Sequence, residues 1–283
     1  MSLSAPPANA SVRTDDGLRL HTHTWSPASA PRAVVALVHG YGEHSGRYDH
    51  VADTFTKRGA TVCAYDQRGY GRSEGPRAYV DSFDRYLDDL DRVLHHVRTD
   101  VPDRPLFLFG HSMGGLVALK YVLDRTPSLE GLMLSAPAIE INPNLAPLLR
   151  RLAQFLGRIA PRLPTTRSPE GAISRDPAVV EAAKNDPLNY HGRVLARTGA
   201  EMLKAGAAVR EQLHALTDPF LVIHGTADAL ASPKWSERLY ERAASDDKTL
   251  QLYDGLYHET FNEPEQDEVL ADLGEWLAAR LPS

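Results

Sequence analysis

Apolar and polar positions follow two rhythms along this chain, and the change between them outlines the fold. Ser11 to Thr14 and Leu18 to Trp25, joined by Asp15-Asp16-Gly17, predict an opening hairpin closed by a tight turn. Ala33 to Val38 is apolar without interruption, the pattern of a strand covered on both faces. A helical stretch from about Ser45 to Arg58 and a strand at Ala60 to Tyr65 follow. Phe83, Tyr86, Leu87, Leu90, Leu94 and Val97 then recur at helical spacing and predict an amphipathic helix. The alternation continues with Leu106 to Phe109 (strand), Gly114 to Leu123 (helix) and Leu129 to Leu134 (strand). It resumes with Pro219 to His224 (strand), Ser232 to Ala244 (helix) and Lys248 to Tyr253 (strand). A last amphipathic helix carries Val269, Leu270, Leu273, Trp276, Leu277 and Leu281, with Asn262 expected as its N-cap and Glu265 three residues on.

Strands alternating with helices imply an α/β fold, a mostly parallel central sheet flanked by helices on both faces. Between about Ala138 and Leu216 the strand rhythm gives way to helical and proline-rich pieces, a stretch too long for a connecting loop. The expected organisation is a core of residues 1–137 and 217–283, with a helical lid, 138–216, inserted after the sixth core strand. In that insertion Leu145, Leu148, Leu149, Leu152, Phe155, Leu156 and Ile159 recur at helical spacing, with Arg150, Arg151 and Arg158 at other positions. Such a basic amphipathic helix has two readings: a face resting on an anionic membrane, or an apolar face covering the core.

Composition narrows the function classes. With 31 basic against 37 acidic residues the net charge is -6, which argues against a nucleic-acid partner. Cys63, the single cysteine, excludes an internal disulfide and reads as a small buried hydrophobe. The first ten residues lack the basic-then-apolar pattern of a secretory signal, and no run approaches the ~18 apolar residues of a membrane span. The expected location is therefore the cytoplasm, with peripheral contact at a membrane surface through the lid as the further expectation.

The sharpest chemical signal is Gly110-His111-Ser112-Met113-Gly114-Gly115, lying between a short apolar strand and a helix. A serine in a strained strand-to-helix turn needs small neighbours two residues either side, and G-x-S-x-G in that context marks the nucleophile of an α/β-hydrolase fold. A serine hydroxyl needs a base to take its proton, and the partners of this fold follow in the order serine, acid, histidine. Asp228, leaving the Pro219 to His224 strand, and His258, leaving the last strand, stand at the required places. Asp254 lies too close in sequence to His258, Glu140 belongs to the lid, and His224 is expected to end a strand beneath the site. The oxyanion donors are expected at the N–H of Met113 and in the loop His39-Gly40-Tyr41-Gly42-Glu43-His44, with Tyr41 as donor.

Two other chemistries compete. Gly40-x-Gly42-x-x-x-Gly46, with Asp66 ending the next strand, resembles a dinucleotide-binding turn, but its glycine spacing is one residue too long and it leaves Ser112, Asp228 and His258 unexplained. His21-Thr22-His23 offers two ligands and no third, so no metal is expected. The pair His95-His96 reads as helix surface.

The motifs His39 to Tyr48, Asp66-Gln67-Arg68-Gly69-Tyr70-Gly71-Arg72-Ser73, Gly110 to Gly115, Asn185-Asp186-Pro187-Leu188, His224 to Asp228 and Gly255-Leu256-Tyr257-His258-Glu259 resemble those of the monoacylglycerol lipases, in particular the bacterial members. The resemblance spans nearly the whole chain. It implies hydrolysis of monoacylglycerols to fatty acid and glycerol without a cofactor, with Ser112, Asp228 and His258 matching the family triad and Tyr41 and Met113 its oxyanion donors. It also implies that Glu43 and Arg47 bind substrate near the glycerol end of the pocket; an ion pair beneath the loop is the alternative reading of these two. Some members carry a tyrosine three residues before the Asp-Pro-Leu, where this chain has Ala183. Related readings on the same machinery are a lysophospholipase, a short-chain carboxylesterase and an aminopeptidase, and a more distant one is a non-catalytic binding protein.

Overall fold

The computed structural model describes residues 8–141, 147–167, 169 and 171–282. Strands β1 (Ala8–Arg13) and β2 (Arg19–Trp25) form the antiparallel hairpin, with the turn held by Thr14 N–H to Leu18 O and Gly17 N–H to Thr14 O at 3.0 Å each. The alternation then runs β3 (Ala33–Val38), α1 (Asp49–Lys57), β4 (Ala60–Tyr65), α2 (Asp84–Asp100), β5 (Leu106–His111), α3 (Met113–Arg125) and β6 (Gly131–Ser135). Helices α4 (Pro147–Ile159), α5 (Pro177–Asn185) and α6 (Ala196–Gln212) come next. The chain closes with β7 (Phe220–Gly225), α7 (Pro233–Arg242), β8 (Lys248–Tyr253) and α8 (Gln266–Ala278).

These strands form one eight-stranded sheet in the order β1-β2-β4-β3-β5-β6-β7-β8, antiparallel only at β1/β2 and β2/β4. The uninterrupted apolar runs have the predicted cause. Val34, Ala36 and Val38 of β3 face one core layer with residues of α2, α3 and α6, while Ala33, Val35 and Leu37 face a second layer with residues of α1 and α8. Because β3, β5, β6, β7 and β8 are parallel, the loops leaving their C-terminal ends gather along one edge of the sheet, where ligands of such sheets bind. Cys63 is buried on β4, where burial raises its thiol to about 11.

Two local expectations are revised. The stretch from Ser45 splits into a 3-10 turn (Ser45–Tyr48) and α1. Asn262 does not cap the last helix. It ends a 3-10 turn, Thr260–Asn262, and its amide donates to Glu259 Oε2 at 2.7 Å, so α8 begins four residues later. Helix α6 enters the core, its Met202, Ala205 and Val209 buried in the same layer as residues of α2 and α3.

Helix α4 rides on α6, with Gly157 at the close approach to Ala196 and Ala200. Its outward face leaves Leu152, Phe155 and Ile159 exposed at 48%, 57% and 62%, with Arg151 and Arg158 exposed alongside. Leu145 and the side chains of Leu148, Leu149 and Arg150 lie outside the described residues. Among those described, no helix is long and apolar enough to cross a membrane.

Candidate active site

Ser112 sits between β5 and α3 at φ 53° and ψ -117°, a conformation that costs a non-glycine residue ~1–3 kcal/mol and survives only where surroundings enforce it. Here they do. Its N–H donates to Ser135 O on β6 at 2.9 Å, and its carbonyl accepts from Ala138 N–H at 2.9 Å and Leu116 N–H at 3.0 Å. A Cβ at Gly110 would strike the Gly114 backbone, and one at Gly114 would strike the Val38 and His39 carbonyls, so no side chain fits at either position. The turn lifts Ser112 out of the sheet and leaves it partly exposed between buried neighbours.

Asp228 lies just beyond β7, where every lone-pair direction of its buried carboxylate is used. Oδ1 accepts from Leu230 N–H at 2.7 Å and Ala231 N–H at 3.1 Å; Oδ2 accepts from His258 Nδ1 at 2.6 Å and His224 Nε2 at 2.9 Å. Burial pushes this carboxyl upward, but the charge of His258 and the hydrogen bonds from His224 and His258 outweigh it and hold the group far below the usual carboxylate range. His258, beyond β8, shows the converse. Burial would lower it, yet the Asp228 carboxylate raises it above 6.5. Its ring packs 4.8 Å, centroid to centroid, from that of His111, the residue preceding Ser112. His111 itself, buried and beside His258, is lowered to about 4.

The three expected residues are thus brought to one sheet edge, with the bond between Asp228 and His258 closed. The Ser112 hydroxyl enters no hydrogen bond among the described residues. A contact of this kind commonly tightens only when substrate arrives.

The loop after β3 lies beside this cluster. His39 Nδ1 bonds to Gly40 O at 2.7 Å and its Nε2 accepts from Gln67 N–H at 2.8 Å, which fixes the ring and the loop's exit from β3. Glu43 Oε1 accepts from Gly40 N–H at 2.5 Å and from Tyr48 O–H at 2.6 Å, clamping the turn on which Tyr41 sits. Met113 begins α3, so its N–H belongs to a helix N-terminus, where partial positive charge collects. Among the described residues neither the Tyr41 nor the Met113 N–H enters a hydrogen bond outside the regular elements.

Arg47 donates to Glu43 Oε2 at 2.7 Å and to both oxygens of Glu259 at 2.8 and 2.7 Å. Of the two readings of Glu43 and Arg47, this geometry favours the ion pair beneath the loop, because the charges are largely consumed within the protein. Glu259 is the member the sequence reading missed. It follows His258 directly, so Glu43, Arg47 and Glu259 tie the loop after β3 to the loop that carries His258. The Asp186 of Asn185-Asp186-Pro187-Leu188 has a similar office. Its Oδ2 bonds to His44 Nε2 at 2.8 Å, and Tyr190 N–H donates to Gly42 O at 2.8 Å, fastening the stretch between α5 and α6 to the same loop.

Asp66 accepts from Ser45 N–H and O–H at Oδ1 and from Arg72 N–H at Oδ2 and has no exposed surface to offer a ribose. His21 and His23 stack edge to face at 5.0 Å, and among the described residues no group of three or more His, Cys, Asp or Glu could hold a metal ion. Asp254 accepts from Thr226 O–H and stands apart from the His258 ring's partners.

A family model described as serine aminopeptidase, S33, matches residues 29–265. The chain is 39% identical over 265 residues to a monoacylglycerol lipase of Mycolicibacterium smegmatis, covering 94% of this chain and 95% of that one. It is 36% identical to the monoglyceride lipase of Rattus norvegicus, covering 94% and 89%. Among solved structures, the monoacylglycerol lipase of Paleococcus ferrophilus superposes with a TM-score of 0.84 at 32% identity, covering 92% of this chain and 99% of that one.

Proposed function

The chain belongs to the serine aminopeptidase S33 family and is a serine hydrolase of the α/β-hydrolase fold, and from that premise we propose that it is a monoacylglycerol lipase working through Ser112, His258 and Asp228. The observation that carries the assignment is the 2.6 Å bond between His258 Nδ1 and Asp228 Oδ2, formed beside a serine held at φ 53°. The ionised carboxylate accepts only, so His258 carries its proton on Nδ1 and presents the Nε2 lone pair for the Ser112 proton. Ser112 Oγ attacks the ester carbonyl as His258 takes that proton. The oxyanion is met by the N–H groups of Tyr41 and Met113, and Asp228 stabilises the imidazolium. His258 returns the proton to the leaving glycerol oxygen as the ester C–O bond breaks. Water, deprotonated by His258, then attacks the acyl-enzyme, and Ser112 leaves with the proton as the fatty acid forms. Glu43, Arg47 and Glu259 hold the two catalytic loops together from behind.

An aminopeptidase would need carboxylates directed at a substrate amine. Glu201 is buried, accepting from Phe83 N–H and paired with Arg197, and Glu181 is engaged by Asn185; Glu170 lies outside the described residues. A panel of monoacyl-, diacyl- and triacylglycerols, lysophospholipids and short-chain esters tests the substrate. The expected result is a kcat/KM for monoacylglycerol at least ~10-fold above the rest, a transition-state difference of ~1.4 kcal/mol. Preference for a lysophospholipid or a short ester would overturn it.

The pH profile follows from His258. The base acts only when neutral, and its free-protein value is raised, so kcat/KM is expected to fall on the acid side with a midpoint above 6.5. A midpoint below 6.5 would contradict the pairing with Asp228.

The inserted helices, in this reading, form a lid over the site, and the exposed face of α4 rests on an anionic membrane surface, the apolar side chains entering the interface and Arg151 and Arg158 meeting the head groups. Leu152→Ser with Phe155→Ser is expected to reduce co-flotation with anionic vesicles at least ~10-fold, since withdrawing each side chain forfeits ~1.5–3 kcal/mol of burial. Unchanged flotation would remove the membrane role.

A further inference from the structure

The triad as described stops at Asp228, but the hydrogen bonds continue beyond it. His224, the penultimate residue of β7, has a ring with no exposed surface, and both of its nitrogens are engaged. Nε2 lies 2.9 Å from Asp228 Oδ2, the same oxygen that receives His258 Nδ1 at 2.6 Å. Nδ1 lies 2.7 Å from the hydroxyl of Ser236, a fully buried residue of α7.

The protons on this line follow from the chemistry of its ends. An ionised carboxylate has no proton to give, so the His224 hydrogen that bridges to Oδ2 is on Nε2. In a neutral imidazole the other nitrogen then accepts, and the Ser236 O–H supplies its proton. A chain of donors therefore runs from α7 through His224 to the carboxylate, and from the other side His258 donates to the same oxygen. The two backbone donors on Oδ1 fix one end of the carboxylate, and among the described residues His224 is the only side chain besides His258 that bonds the other.

We propose that His224 is a positioning residue of the catalytic triad: its Nε2–H holds Asp228 at the rotation that presents Oδ2 to His258 Nδ1, and Ser236 fixes the tautomer that allows it. This deepens the hydrolase reading and rests on Asp228 being the triad acid. The chemistry at Ser112 is unchanged by it. What changes is how firmly the imidazolium that forms at His258 is met, so the effect falls on kcat and not on the capture of substrate.

The test compares His224→Gln, whose amide N–H reaches toward the position of Nε2, with His224→Asn, which is polar but too short, and His224→Leu, which has no donor. Turnover of a monoacylglycerol is divided by the number of sites that react with a fluorophosphonate, so misfolded protein does not count. Loss of a hydrogen bond to a charged group predicts kcat lower by about 10- to 100-fold in His224→Leu and His224→Asn, with KM within about twofold. His224→Gln is expected within about threefold of the parent, and Ser236→Ala between the two classes. If His224→Leu does not fold, the Asn and Gln pair carries the comparison. Equal losses in the Gln and Asn variants, or parental kcat per site in His224→Leu and His224→Asn, would overturn the proposal alone. Turnover surviving in a parallel Ser112→Ala sample would remove the triad and this proposal together.

Discussion

Ser112→Ala is expected to lower kcat on a monoacylglycerol by about 10⁵- to 10⁶-fold, the scale seen when the nucleophile of a serine hydrolase is removed. The reason lies in the division of labour at the site. Without Oγ there is no acyl-enzyme, and His258 has no hydroxyl to deprotonate, so only the oxyanion donors and substrate binding continue to act. The fold should be indifferent. Alanine meets the same φ of 53° as serine, its backbone bonds to Ser135, Ala138 and Leu116 remain, and the deleted hydroxyl strands no partner among the described residues. Unfolding free energy is therefore expected to change by less than ~1 kcal/mol in a denaturant titration. A variant that unfolds, or one that keeps measurable turnover after purification away from parent enzyme, would count against this reading.

Asp228→Asn is expected to lower kcat by ~10⁴-fold while altering KM little, through the tautomer of His258. The amide cannot choose its orientation freely. Leu230 N–H and Ala231 N–H both require an acceptor at the Oδ1 position, so the carbonyl oxygen goes there and the NH₂ takes the place of Oδ2. It then faces His258 Nδ1 and His224 Nε2 as a donor, and His258 responds by accepting at Nδ1 and moving its proton to Nε2, toward Ser112. A base with its proton on the wrong nitrogen cannot take another from serine.

The same substitution has a pH signature in stability. Asp228 is depressed below its unfolded value of 3.8, so its contribution is present above that pH and is lost as pH falls through the folded value. His258 is raised above 6.5, so its contribution is complete below that pH and is lost as pH rises through the folded value. The pair is strongest between those limits. Thermal unfolding of parent and Asp228→Asn should therefore differ more near about pH 5 than near about pH 8. An equal difference at both would show that the pair is not an ion pair in the protein.

Much of this was legible before the structure. Runs such as Ala33 to Val38 reveal strands because both of their faces are dry, and the motif around Ser112 reveals its turn because only glycine fits at Gly110 and Gly114. The order of Ser112, Asp228 and His258 along the chain is meaningful because parallel strands deliver their C-terminal ends to one edge. What escaped was set by side-chain pairing across long sequence distances. Asn262 looks like a helix cap until Glu259 engages its amide. Glu43 and Arg47 form a short-range pair on paper, and the 212-residue step to Glu259 has no local signature. His224 reads as a strand-ending histidine, and only the rotation of the Asp228 carboxylate makes it a partner. The weak amphipathicity of α6 likewise hid that Met202, Ala205 and Val209 enter the core.

Every step above requires that one serine at the edge of the sheet be activated by the histidine 146 positions further along the chain. The most direct measurement is to treat the protein with a fluorophosphonate and locate the adduct by peptide mass mapping. A single adduct on Ser112, formed in step with loss of ester hydrolysis and absent in His258→Ala, is the predicted result. Hydrolysis that persists in fully labelled protein, or an adduct on another residue that tracks the loss of activity, would contradict it.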